Sequence, residues 1–126
     1  MSYVIDASAV ADLLVAADGE QVAAAIGDDD LYAPQLIIPE VLSVFRKWLI
    51  GGHITEQRAA QAIDDLVALD WELVDMQPLA HAIWELRHNV SSYDAAYIAL
   101  GTVMECPVLT RDGRLARAMP DVTQRC

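Results

Sequence analysis

At 126 residues with 55% apolar and 21% charged side chains, the chain fits a single domain, 1–126, large enough to bury a core without disulfide staples. Its net charge of −11 excludes nucleic-acid binding through a broad basic face, but not a nuclease, since metal-binding carboxylates are themselves negative. Cys106 and Cys126 show neither metal-ligand spacing nor a disulfide framework, and no apolar run approaches the roughly 18 residues of a membrane span, so a cytoplasmic protein without a membrane segment is expected.

Tyr3-Val4-Ile5 is a short β-branched run ending at Asp6, which reads as a buried strand. Asp6-Ala7-Ser8 then supplies a polar stop before a helix over residues 9–16, and Asp18-Gly19 separates it from a second helix over 20–26. Asp28-Asp29-Asp30 reads as a solvated connector to a second strand at Leu31-Tyr32-Ala33. An apolar helix runs from Pro34 to Ile50 and stops at Gly51-Gly52; Pro39 inside it demands either a kink or a later start. Thr55 caps the next helix, whose apolar stripe is Ala59, Ala62, Ile63, Leu66 and Leu69.

Residues 71–74 alternate as a third strand, and Pro78 opens a helix expected to reach Asn89, with His88 as a donor at its C-terminus. A helix follows over residues 92–104, then a fourth strand over 107–110. A turn at Arg111-Asp112-Gly113 leads to a short helix over 115–119, with an edge strand over 122–125. Cys106 reads as a small buried residue, and Trp48 and Trp84 occupy core-like positions; exposed, either would instead suit a partner-binding anchor. Strands alternating with Ala- and Leu-rich helices make this an α/β domain with a parallel sheet.

Four acids hold positions with chemical potential. Asp6 ends the first strand and Asp112 follows the fourth, where open parallel sheets gather function. Taken singly, Asp6 reads equally as a helix cap, Asp112-Gly113 as a turn pair and Ser91-x-x-Asp94 as a capping pattern. Glu40 differs, because Leu36, Ile37, Val41 and Val44 surround it and no basic residue stands one turn away. A carboxylate so desolvated needs a compensating cation or donor. Together the four form an oxygen ligand set of the kind that hard divalent ions take, and such ions can activate water against a phosphodiester.

The order of Val4-Ile5-Asp6-Ala7-Ser8, Pro39-Glu40-Val41, Ser92-Tyr93-Asp94-Ala95-Ala96-Tyr97 and Leu109-Thr110-Arg111-Asp112-Gly113 resembles the PIN-domain family, and within it the VapC-type toxins of bacterial toxin–antitoxin pairs. The likeness covers essentially the whole chain. It implies a three-layer α/β/α fold with a short, mainly parallel central sheet, and a Mg2+- or Mn2+-dependent endoribonuclease. It also implies Asp6, Glu40, Asp94 and Asp112 as catalytic metal ligands, supported by Ser8 and Thr110. A VapB-type antitoxin, an RNA substrate and a homodimer are the implied partners.

Arg111, Arg114 and Arg117 recur every third residue beside Asp112. They read either as solvated helix-surface residues or as contacts to an RNA backbone. Two other functions compete. A non-catalytic PIN-like protein-binding module would leave the acid set without a purpose. A phospho-accepting receiver wants a lysine after a late strand, and the chain's one lysine, Lys47, lies in a helix.

Overall fold

The computed structural model describes residues 1–126. Five strands, β1 (Ser2–Ile5), β2 (Asp30–Pro34), β3 (Glu72–Val74), β4 (Val108–Thr110) and β5 (Thr123–Arg125), form one sheet in the order β3-β2-β1-β4-β5, every pair parallel. Strand β1 lies at its centre, with Tyr3 opposite Leu31 and Val4 opposite Val108. Val4, Ile5, Val108 and Leu109 are fully buried, as central strands covered on both faces must be. The chain winds outward from β1 through β2 to β3, then crosses back to β4, so the winding reverses between β1 and β4. A crevice at such a reversal is where open α/β sheets place their ligands.

Helices α1 (Ala7–Val15), α2 (Gly19–Ile26), α3 (Ile37–Ile50) and α4 (Glu56–Val67) pack against one another, while α5 (Ala80–Glu85) and α6 (Ser92–Met104) pair elsewhere, α6 lying on β1, β2 and β4. A short α7 (Gly113–Ala118) joins β4 to β5. The result is the expected three-layer α/β/α arrangement. Helix α6 is its central buttress: seven consecutive residues, Ala95 to Gly101, are buried, which requires a helix apolar on every side.

Gly101 lets α6 approach the sheet. A Cβ there would meet the Cys106 carbonyl oxygen and Val108 Cγ2, each at 2.9 Å. Gly101→Ala is therefore expected to lower stability by about 1–3 kcal/mol through overpacking, although alanine is the better helix former. Urea unfolding checks this; an unchanged or raised midpoint would show that the backbone gives way.

Several boundaries differ from the sequence expectation. Helix α1 begins at Ala7 because Asp6 itself is the cap, its Oδ1 accepting the Ala9 N–H at 3.0 Å. Helix α3 starts late, at Ile37, so that Pro39 falls in the first turn, where its missing N–H breaks no helical bond. Asp112 caps α7, moving its start to Gly113.

The helix expected to reach Asn89 ends at Glu85 after a 3₁₀ turn at Gln77–Leu79. Its last carbonyls are closed by tight bonds from Leu86 N–H to Ile83 and from Arg87 N–H to Trp84. The side-chain donor at this terminus is Arg87, whose Nη1 reaches the Trp84 carbonyl at 3.0 Å, and not His88. Trp84 is 63% exposed under the Arg87 guanidinium, 4.9 Å from its ring centroid, and so is not a core residue. Ile63 is also exposed, and Cys106 is only half-buried.

Candidate functional site

The carboxyl ends of β1 and β4 lie side by side, tied by Asp6 N–H donating to the Leu109 carbonyl at 3.1 Å. Side chains extend this link into a knot. Ser8 Oγ donates to Asp6 Oδ1 at 2.6 Å and accepts the Arg111 N–H at 2.9 Å. Thr110 Oγ1 lies 3.4 Å from Ser8 Oγ and accepts the Asp112 N–H at 2.9 Å. Asp112 Oδ1 in turn accepts the Arg114 N–H at 2.9 Å. The two small hydroxyls, Ser8 and Thr110, thus hold Asp6 and Asp112 in fixed relation, as residues one strand apart in a parallel sheet can be held.

The other two acids come from helix starts above this knot. Asp94 stands in the first turn of α6, where Ser91 Oγ accepts its N–H at 3.2 Å. Glu40 stands in the first turn of α3 and is half-buried. Its partner is Tyr97, one turn after Asp94 on α6, whose hydroxyl donates to Glu40 Oε1 at 2.7 Å. All four carboxylates therefore sit at helix N-termini, whose dipoles favour negative charge. The capping readings of Asp6, Asp94 and Asp112 are correct as local structure, and they aim the acids at one region.

The acids act on one another electrically. Burial pushes Asp6 up to about 6, against hydrogen bonds from Ser8, Thr110 and the Ala9 N–H, and the charge of Asp112 pushes the same way. Burial raises Glu40 too, opposed by the Tyr97 hydroxyl and reinforced by Asp94. Asp94 is raised by burial and by Asp112, against Ser91 and Arg114. The Tyr97 phenol is held well above its ordinary range by burial first, then by its bond to Glu40.

Asp6 is 5% exposed and has no cationic partner in the chain. A buried carboxylate among other carboxylates is the donor chemistry that suits a hard divalent cation. The four do not close into a cage, because no three His, Cys, Asp or Glu side chains are gathered tightly enough to hold an ion. A magnesium-type ion needs only one or two carboxylates, with water completing its shell, so the arrangement fits.

Tyr97 is the site residue that the sequence reading missed. Its position three residues after Asp94 on one helix was the available signal. Tyr97→Phe keeps the shape of a side chain that is 2% exposed and removes only the donor. It is expected to cost about 1 kcal/mol, seen as a lower urea midpoint at constant slope.

The three arginines separate. Arg111 is not available to a substrate: its side chain is 17% exposed, pairs with Asp12 at 3.0 Å and with Asp18, and donates to the Cys126 carbonyl at 2.7 Å. It fastens the C-terminus and α1 to the end of β4. Arg114 is 84% exposed at 3.8 Å from Asp112 Oδ2, and Arg117 is exposed on the same helix. Arg111→Met is expected to cost about 2 kcal/mol by orphaning two carboxylates, whereas Arg114→Met should cost less than about 0.5 kcal/mol. Parallel denaturation of the two variants checks the contrast.

Residues 3–119 match the PIN domain family model. Ribonuclease VapC1 of Mycobacterium tuberculosis is 36% identical over 118 residues, covering 91% of this chain and 89% of the relative. Ribonuclease VapC9 of the same species is 35% identical over 117 residues, covering 90% and 87%. Among solved structures, PAE2754 from Pyrobaculum aerophilum has a TM-score of 0.77 at 17% identity, covering 99% of this chain and 83% of that one. VapBC2 from Rickettsia felis, bound to a DNA fragment from its promoter, has a TM-score of 0.67 at 10% identity, covering 100% and 99%. These two likenesses extend to the fold.

Proposed function

The chain belongs to the PIN-domain family and, within it, to the VapC ribonucleases, and from that premise we propose that it is the endoribonuclease toxin of a toxin–antitoxin pair, with Asp6, Glu40, Asp94 and Asp112 holding Mg2+ or Mn2+. The observation that carries the reading is the approach of acids from four separate places, the β1–α1 junction, α3, α6 and the β4–α7 turn, where the sheet reverses its winding. Burial first, and then the charge of a neighbouring acid, raises Asp6, Glu40 and Asp94 together, which capping alone does not require.

Asp6 and Asp112, fixed by Ser8 and Thr110, would be the rigid ligands, and Asp94 and Glu40, half-buried, would reach the ion directly or through its water. Bound there, the cation supplies Lewis acidity toward a phosphodiester and a water molecule made easier to deprotonate. The chain's own contribution is placement. Tyr97 fixes one Glu40 oxygen and leaves the other free, and exposed Arg114 beside Asp94 and Asp112 is positioned to draw an RNA phosphate toward an otherwise acidic surface.

A VapB-type antitoxin with a basic segment is the natural partner for a chain of net charge −11, and a homodimer is the assembly proposed with it. Purified protein free of antitoxin is expected to cut a structured RNA in Mg2+ or Mn2+, and to stop in excess chelator. Equal cutting by Asp94→Asn would sink the assignment, and calorimetry without divalent-ion binding would favour a non-catalytic module.

A further inference from the structure

Beside Glu40 lies a cleft of about 570 Å3 whose lining includes Pro39, Glu40, Ser43, Val44, Lys47 and Tyr93. That volume falls within the roughly 300–1,000 Å3 of small-ligand clefts. One wall is continuous with the acids, through Glu40 itself and through Tyr93, the chain neighbour of Asp94. Tyr93 is 63% exposed, so its ring contributes little to the core. Lys47 is the only lysine in the chain, and none of the protein's ion pairs uses it. An aromatic face, an unpaired cation, a hydroxyl and an apolar floor thus stand together at the edge of the proposed reaction site.

We propose that this cleft is a nucleobase subsite, in which one base of a single-stranded RNA stacks on Tyr93 against Pro39 and Val44 while Lys47 meets a neighbouring phosphate. The inference rests on the ribonuclease reading and adds which side of the acids the strand passes and what holds it. Stacking on an aromatic ring accepts any base, and it demands an unpaired one, because a base inside a duplex has no free face. The Ser43 hydroxyl offers the cleft one donor or acceptor for a base edge, a means of preferring one base over another. The subsite therefore selects single strands first and sequence second. A protein side chain is the other occupant for an apolar cleft, but continuity with the acids and a lone cation in an acidic chain favour RNA.

The test uses full-length protein carrying Asp94→Asn, in Mg2+, titrated with a short single-stranded RNA containing one 2-aminopurine, whose fluorescence falls on stacking. Quenching is expected, and adding Tyr93→Ala should abolish it and weaken binding by roughly 5- to 160-fold, the range for losing one stacked base. Tyr93→Trp should retain it. Lys47→Gln should lower the salt dependence by about 0.7 in the log–log slope, one phosphate contact on a single strand. Unquenched fluorescence, or quenching and affinity untouched by Tyr93→Ala, overturns the proposal. So does a result in which Tyr93→Ala alters only self-association or antitoxin binding, which assigns the cleft to a protein. Failure of the ribonuclease reading has a separate signature, absence of metal-dependent cleavage by the wild-type chain.

Discussion

Asp6→Asn is expected to abolish RNA cleavage, by at least about a thousandfold, while making the metal-free protein more stable near neutral pH. Two observations combine to give opposite signs. The asparagine oxygen can still accept from Ser8 Oγ and the Ala9 N–H, so the α1 cap survives. The negative charge does not survive, and that charge is the costly part of the native residue. With the folded pKa lifted from 3.8 to about 6, holding Asp6 ionised above that pH costs about 3 kcal/mol relative to the unfolded chain. The amide removes this cost, so a gain of about 1–3 kcal/mol is expected in chelator. Denaturation midpoints and cleavage rates on one preparation check both halves. A variant that loses activity and stability together would mean that Asp6 is a structural cap and no more.

The opposing signs also explain how far the site could be read from the chain. Local rules sufficed for the caps: Ser91 before Asp94 and Thr55 before Arg58 each accept the hydrogen bond that their spacing implies. They sufficed for α6, whose unbroken apolar run became the buried buttress. They also sufficed to flag Glu40 as a carboxylate in need of a partner, although the partner in the chain is a tyrosine hydroxyl 57 positions away, beyond any local pattern.

Arg111 was illegible for the same reason. Its acceptors, on Asp12, Asp18 and Cys126, come together only after β4 pairs with β1 and the C-terminus returns past α1. Periodicity grouped it with Arg114 and Arg117, whereas tertiary contact turned it inward. Trp84 failed in the other direction. Helical spacing assigned it inward, but α5 stops at Glu85, too short to bury the ring, and Arg87 covers it instead.

Metal and protons are expected to compete at this site, and the competition fixes the shape of the stability profile. In chelator, the Asp6 contribution is fully present below its unfolded pKa and lost as pH rises through about 6, so the protein should melt at a higher temperature near pH 5 than near pH 7.5. Glu40 and Asp94, both raised, act in the same direction. A divalent cation reverses the order, because it binds the ionised form. At a hundred times its dissociation constant it adds about 2.7 kcal/mol near neutral pH. Below about pH 6 the ion must displace the Asp6 proton, so its affinity should fall about tenfold for each further pH unit. The melting curves with and without Mn2+ should therefore separate widely at neutral pH and converge in acid. Asp6→Asn isolates the responsible group. In that variant the chelator profile should flatten and the Mn2+ increment should shrink at every pH. Curves that kept the native separation in Asp6→Asn would place the ion elsewhere, and with it the chemistry.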